Sequence, residues 1–517
     1  MHNKSIPIME DLGHCRHQLP ADIWKLVWDK IESEVSCDTL GITYAMLASV
    51  CRDWQLRFEP VVFQRLRLRA ECLERFGKIV NRIESRRSYI RNISFRVLLP
   101  LYPRGLRFWR ETDKDMAENS KEFTRQVTQL FRTLNIMFSG YDFTKQYRRN
   151  RSMELDFVVS CDSDCDVGDK FVYVTRFLLS RIDWDEDTMK DELGACAALP
   201  KLPVVDVLSM QRASYRSINP KTLSVILSRL PRVNTVILEP WAGRTDEEED
   251  WLELAMAIPK HVQTITACEV FSSFDGDDND DSSDEERVQD QARTAWNTHQ
   301  RPALAEALVR STAHLKHLSV SNLIDARHFL ADFWPGSQPH GRRDVLGGDA
   351  IPALPRWDNL RFLTLTAAWR RPRGNREDIT DALLIATARA SRHMPRLQML
   401  QVYSAGTGTV INRRPALLRY EAETDDGRTE LYLATAWVSE VSPDARRAWE
   451  AVAYEHARHV LQFVHESALA WLATRVRRQH DMHLLLKRGD LVVHPRTHVS
   501  METVGVHEEE GVVEEDG

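Results

Sequence analysis

Four small groupings in this chain combine residue types that could do chemistry. Cys161 and Cys165 are separated by three residues, a spacing at which a zinc site can begin. No second pair follows at metal-binding distance, and Asp162, Asp164 and Asp166 make an acidic turn the better reading. Asp275, Asp277, Asn279, Asp281 and Glu286 match the ligand spacing of a calcium-binding helix–loop–helix, but Asp280 stands where that loop turns on glycine. His314 and His317 lie beside Leu315 and Leu318 and are expected to be solvent-facing strand residues rather than ligands. Arg370, Arg371 and Arg373 could grip an acidic or phosphorylated peptide through bidentate contacts, although a solvated loop is the preferred reading. A nuclear-import role for the other dense basic cluster, Lys145 to Arg151, is no better supported.

No catalytic constellation accompanies them. The chain has no Gly-x-Ser-x-Gly, no His-Glu-x-x-His and no phosphate-cradling glycine loop, and it has only 21 glycines. Cys51 sits within a helical apolar pattern and no other cysteine has a supporting motif for nucleophilic catalysis. The expectation is a protein that is not an enzyme and uses no cofactor and no metal. Ser282 and Ser283 each have Glu three residues on, which suits an acidophilic kinase.

The composition fits a large binding protein. The 517 residues are 43% hydrophobic and 28% charged, ordinary values for a globular chain. A net charge of −7 gives no case for nucleic-acid binding. No apolar run is long enough to span a membrane, the N-terminus lacks a signal-peptide core, and the eight cysteines form no framework. Cytoplasm or nucleus is the expected location.

Two stretches near the N-terminus have more apolar surface than they can bury in each other. Pro20 suits the first turn of a helix, and Ile23, Val27 and Ile31 then form one stripe flanked by Trp24 and Trp28. Tyr44, Leu47, Val50, Cys51 and Trp54 form a second face. Together, Leu19-Pro20-Ala21-Asp22-Ile23 followed by Val50-Cys51-Arg52-Asp53-Trp54 resembles the F-box motif. The gap between its halves, Glu32–Gly41, is longer than is usual in that family and reads as a surface loop insertion. The resemblance implies a three-helix module that docks on Skp1, with Leu19, Pro20, Ile23, Val27, Leu47, Val50, Cys51 and Trp54 making the contact.

Beyond this module an apolar–Pro–basic triplet recurs: Leu199-Pro200-Lys201, Leu230-Pro231-Arg232, Ile258-Pro259-Lys260, Leu354-Pro355-Arg356 and Met394-Pro395-Arg396. A helix ends before such a proline, and the basic side chain suits the negative helix terminus. Short strand patterns follow each, at Leu202/Val205/Val207, Val233/Val236/Leu238, Val262/Ile265/Ala267, Leu360/Leu363/Leu365 and Leu397/Leu400/Val402. Leu315/Leu318/Val320 has the pattern without the proline, and Ile90/Ile93/Phe95 and Phe131/Leu134/Ile136 are weaker examples. Asn219-Pro220 predicts a helix start before Leu223, Ile226, Leu227 and Leu230, and a further helix is predicted around Ile379, Leu383, Leu384 and Ala388.

Helix, turn and short strand repeating in this way predict an irregular leucine-rich-repeat-like α/β solenoid, with a doubly wound sheet as the alternative. The overall fold class is therefore mixed α+β and α/β. The expected units are the F-box over 15–68, the solenoid over 85–410 with an acidic disordered insert at 270–300, a capping segment over 425–488 and a disordered acidic tail over 500–517. In the capping segment Leu431–Val438 predicts a strand, and Trp449, Val452, Val460, Phe463, Val464 and Trp471 predict helix.

The arrangement resembles F-box proteins of filamentous fungi that carry leucine-rich repeats. That resemblance implies the substrate-recognition subunit of a Skp1–cullin–F-box (SCF) ubiquitin ligase, with Skp1, cullin and an unidentified protein substrate as partners. A scaffold that binds Skp1 without cullin-dependent ubiquitination is the alternative.

Overall fold

The computed structural model describes residues 43–101, 111–140, 152–161, 181–194, 198–211, 216–240, 248–269, 301–336, 354–367, 379–404, 416–424, 426–435 and 441–467, with most of 482–494 and Thr497. The predicted acidic insert and tail, the basic clusters at 145–151 and 370–373, and the calcium-like spacing all lie outside these residues, as does Cys165.

Why strands form where they do follows from a six-residue pattern, apolar-x-x-apolar-x-apolar, ahead of polar alternation. The strands are β1 (Arg65–Leu68), β2 (Asn92–Leu98), β3 (Glu154–Ser160), β4 (Arg181–Ile182), β5 (Val207–Met210), β6 (Ser217–Ile218) and β7 (Thr235–Leu238). They continue with β8 (Thr264–Cys268), β9 (His317–Asp325), β10 (Phe362–Thr366), β11 (Met399–Ser404), β12 (Ala416–Glu421), β13 (Thr429–Thr435) and β14 (Leu461–Ser467). Strands β4 and β6 pair with each other, and the rest form a 12-stranded sheet in strict chain order, with every strand beside its predecessor and successor within that sheet. Neighbours are parallel except that β12 is antiparallel to both β11 and β13. Strand order never reverses, so the sheet lacks the switch point of a doubly wound fold.

The register stacks one apolar position across the whole sheet. Leu66, Ile93, Leu155, Leu208, Val236, Ile265, Leu318, Leu363 and Leu400 are successive cross-strand partners. Two residues on, Leu68, Phe95, Phe157, Met210, Leu238, Ala267, Val320, Leu365 and Val402 form a second row. Helices on that face complete one continuous core, with Pro220–Leu227 against Glu248–Ala257, that against Pro302–Ser311, and Ile379–Ser391 against Pro443–Ala457.

Strand entry is fixed by a repeated backbone device. Just before seven of the strands, one carbonyl accepts two successive N–H groups from the start of the next strand in the sheet. The carbonyls of Gln64, Met153, Asp206, Asn234, Gln263, Lys316 and Arg361 each do this at 2.7–3.2 Å. The apolar–Pro–basic turns feed into it. Helices end before Pro231, Pro259 and Pro395, and Asn219 caps its helix by accepting from the Lys221 N–H at 2.8 Å.

Three predicted elements differ. Phe131/Leu134/Ile136 lies in the 26-residue helix Asp113–Phe138, not in a strand. A Thr112–Asp115 capping box starts it, and Phe123, Val127, Leu130, Phe131, Leu134 and Phe138 then point inward while Ile136 is exposed. The strand after Pro200 is shifted: Val205, Leu208 and Met210 occupy the inward positions, so Val207 faces the other way. In the C-terminal region Trp449 and Val452 are helical, but Phe463 and Val464 belong to β14. They face opposite sides of this edge strand, Phe463 against the main core and Val464 against a smaller cluster, and both are half-buried.

At the rim where parallel strands end, the two sides of the 270–300 insert are held together. Glu269 and Arg301 flank it and form a buried ion pair at 3.2 Å. Beside them β9 carries a bulge, with Asn322 at φ 62 and its side-chain amide donating to the Glu269 carbonyl at 3.2 Å. Arg216 and Glu111 form a second buried pair at the same rim.

Leu363 stands next to last in the first apolar row given above and is buried. Leu363→Ala is expected to lower the unfolding free energy by about 2–5 kcal/mol in urea titrations. Val460→Ala, at a side chain 92% exposed, should shift it by less than about 0.5 kcal/mol.

Candidate functional site

Two regions offer a surface for partners. The first is the pair of helices Tyr44–Ala48 and Arg52–Val62, joined by a turn that holds Val50 and Cys51. Thr43 caps the first by accepting from the Met46 N–H at 3.3 Å. Phe58 is fully buried between Tyr44 and Trp54, with ring centroids 5.9 and 5.8 Å away. Glu59 ties the second helix to the following chain by pairing with Arg86. Burial alone would raise the Glu59 pKa, but hydrogen bonds from Arg86 and Gln55 outweigh it and hold the carboxylate below its ordinary value.

With Leu47 and Phe58 turned inward, other apolar residues remain outside. Met46, Val50, Leu56 and Val61 are 54%, 46%, 56% and 43% exposed. Of the sequence-predicted contact residues, Leu47 is therefore buried, Cys51 and Trp54 are half-buried and Val50 is open. Leu19, Pro20, Ile23 and Val27 lie outside the described residues, as do Arg370, Arg371 and Arg373.

The second region is the polar face of the sheet, opposite the helices. Its register row runs Ser94, Asp156, Ser209, Ile237, Thr266, Ser319, Thr364, Gln401 and Arg419. Glu154, Glu239, Cys268, Tyr403 and Glu421 share that face by the two-residue alternation of strands. Such a row would ordinarily be wet. Here Asp156, Ser209, Glu239, Thr266, Ser319, Thr364, Gln401 and Tyr403 are all buried.

The cover is a segment near the C-terminus, Met482–Thr497. The Lys487 ammonium donates to Glu421 at 2.8 Å and its carbonyl accepts from the Gln401 amide at 3.0 Å. Arg488 lies over the Phe362 ring at 5.8 Å, and the Leu491 carbonyl accepts from the Thr266 hydroxyl at 3.1 Å. The His494 N–H donates to Glu239 at 2.6 Å, its imidazole meets Glu154 at 3.1 Å, and the Thr497 hydroxyl donates to Glu239 at 2.7 Å. His483 lies 3.0 Å from the Tyr403 hydroxyl and 3.9 Å from the Cys268 sulfur. The segment thus crosses from β12 back towards β3, against the direction in which the sheet was built.

Burial under this segment shifts ionisations. Desolvation pushes the Asp156 carboxyl up to about 6, against hydrogen bonds from Ser94 and Ser209 and the opposing pull of His494. Desolvation likewise raises the Tyr403 phenol well above its ordinary value. His317, expected to face solvent, is buried on this face with its ring 6.0 Å from that of Phe362. His314 is half-buried. Cys161 donates its thiol to the Pro100 carbonyl at 3.1 Å. Among the described residues no group of three His, Cys, Asp or Glu side chains could hold a metal ion, and no helix is long and apolar enough to cross a membrane.

Sequence reasoning missed the acidic groups of this face. Glu154 and Asp156 alternate with Leu155 and Phe157, which is the signal of a half-exposed strand. Nothing local announces that a segment some 340 residues later closes over them.

Residues 257–494 match a family of unknown function, DUF6546. The match takes in β8 to β14 and the covering segment as far as His494. No curated protein matches the chain.

Asp156 is raised in the folded state, so its contribution to stability is complete below its unfolded value of 3.8 and is lost as pH rises through about 6. Asp156→Asn should flatten that dependence, removing roughly 2–3 kcal/mol of the stability difference between pH 4 and pH 7.5. Thermal unfolding of both proteins at the two pH values checks this.

Proposed function

We propose that this protein is the substrate-recognition subunit of an SCF-type ubiquitin ligase, bound to Skp1 through its N-terminal helices. The observation that carries the reading is the cluster of Met46, Val50, Leu56 and Val61. Met46 lies on the first of the two short helices, Leu56 and Val61 on the second, and Val50 in the turn between them, where Val50-Cys51-Arg52-Asp53-Trp54 begins. Of the ten large apolar side chains exposed among the described residues, four fall in this one stretch. Such a concentration is what a protein-binding surface needs. By the F-box resemblance, Leu19, Pro20, Ile23 and Val27 add to the same contact, with Leu47 supporting it from inside.

The remainder supports a receptor body. A mostly parallel sheet in unbroken chain order, with helices along one side and the same entry turn at seven of its strands, fits an irregular leucine-rich-repeat-like solenoid. Its role would be to hold a protein substrate so that a lysine of that substrate meets the ubiquitin-charged conjugating enzyme. The gain is proximity, since tethering turns a bimolecular encounter into a nearly intramolecular one. The chain itself would then make and break no bonds, and it would work in the cytoplasm or nucleus where such ligases act.

Val50→Asp and Leu56→Asp place a charge on exposed positions, so folding should survive. Capture of purified Skp1 by the double variant should fall at least tenfold relative to the unmodified chain, with circular dichroism unchanged. Equal capture by both would overturn the docking assignment. Skp1 bound without cullin would make the protein a scaffold instead.

A further inference from the structure

The covering segment Met482–Thr497 contacts the sheet as a ligand would. Its described residues add no strand, and they are held by side chains of the polar face gripping backbone carbonyls and charged groups. Glu421, Glu239 and Glu154 receive, in turn, an ammonium, a backbone N–H with a hydroxyl, and an imidazole. Among the described residues, Arg419, on the row at that end of the face, is already met by Glu421 and Glu430 within the sheet. The exposed demand of the face is therefore for positive charge and for N–H donors.

The cover is also imperfect. The Ser319 hydroxyl and the Gln401 side-chain carbonyl are buried beneath it without a hydrogen-bond partner. Lifting the segment would return both groups to water or to a better-matched occupant.

Its apolar contacts are separable from the rest of the molecule. Met482, Leu486 and Val492 pack with Tyr403, Leu417, Tyr432 and Ala434 in a small cluster distinct from the main core. Departure of the segment would open that cluster and leave the two apolar rows and their helices intact.

We propose that the polar face is a binding groove for an extended basic peptide, and that Met482–Thr497 is its tethered competitor. The partner carries a lysine and, about seven residues further on, a second donor group such as histidine, copying Lys487 and His494. This names the substrate surface of the receptor proposed above and rests on that reading only for the biological identity of the partner. An acidic or phosphorylated segment, the ligand that Arg370, Arg371 and Arg373 would suit, is excluded from this face by Glu154, Asp156, Glu239 and Glu421.

The test uses the full chain with a protease recognition site inserted between Ser467 and Met482. After folding and cleavage, a fluorescein-labelled peptide of residues 482–497 is added and its anisotropy followed. Uptake of the peptide with release of the cleaved segment is expected, and the same peptide carrying Lys487→Glu and His494→Glu should bind at least tenfold more weakly. Retention of the segment without exchange while the sheet stays folded would overturn the proposal. So would unfolding of the sheet once the segment leaves, which would make it part of the core, and so would equal binding of the charge-reversed peptide. Skp1 capture measured on the same cleaved protein separates the two readings. Exchange without Skp1 binding would keep the groove and remove the receptor assignment, and Skp1 binding without exchange would do the reverse.

Discussion

The structure depends on one backbone hydrogen-bond arrangement, the carbonyl that precedes a strand and accepts two N–H groups from the next. Because Gln64, Met153, Asp206, Asn234, Gln263, Lys316 and Arg361 all do this, the parallel strands that follow them enter at a common height. A slip of one residue would turn every inward side chain outward. Fixed entry keeps Leu66 to Leu400 in one row and Leu68 to Val402 in another. The connections can then vary widely in length without disturbing the core. The buried Glu269–Arg301 pair shows how this works at 270–300, where the chain leaves and returns at one point of the rim.

The two faces of the sheet meet different requirements. The helix side is closed by apolar area, worth roughly 25 cal/mol for each Å² removed from water. The other side presents carboxylates, hydroxyls and an amide, and it is shielded by a short segment whose own polar groups answer only part of them. Desolvation there raises Asp156, a consequence of placing a carboxyl group beneath a cover rather than beside a cation.

Much of the fold was legible because the signals were local. Pro231, Pro259 and Pro395 mark true helix ends, and the triplets at Val233, Val262, Leu315, Leu360 and Leu397 name the inward side chains of five strands. Strands β1 and β3 were missed because no proline precedes them, and because Ser152 stands where β3 would need an apolar residue. Phe131, Leu134 and Ile136 misled because three apolar residues satisfy a strand and a helix alike until Phe123, Val127 and Phe138 are counted with them. The candidate groove was not legible at all. Its walls are isolated polar residues on separate strands, and nothing in the sequence of its present occupant marks it as a cover for them.

The sheet grows by adding each strand to the one made just before, so nearly all of it can form as the chain is synthesised. The contacts of His494 with Glu154 and Glu239 instead join residues 340 and 255 positions apart. Long-range closures of this kind come late in folding. A nascent molecule therefore completes its helical side first and holds its acidic face open to the surroundings until Met482–Thr497 has been made. During that interval the face is a cation-seeking surface on a protein otherwise already built, and the first matching segment to reach it is the molecule's own.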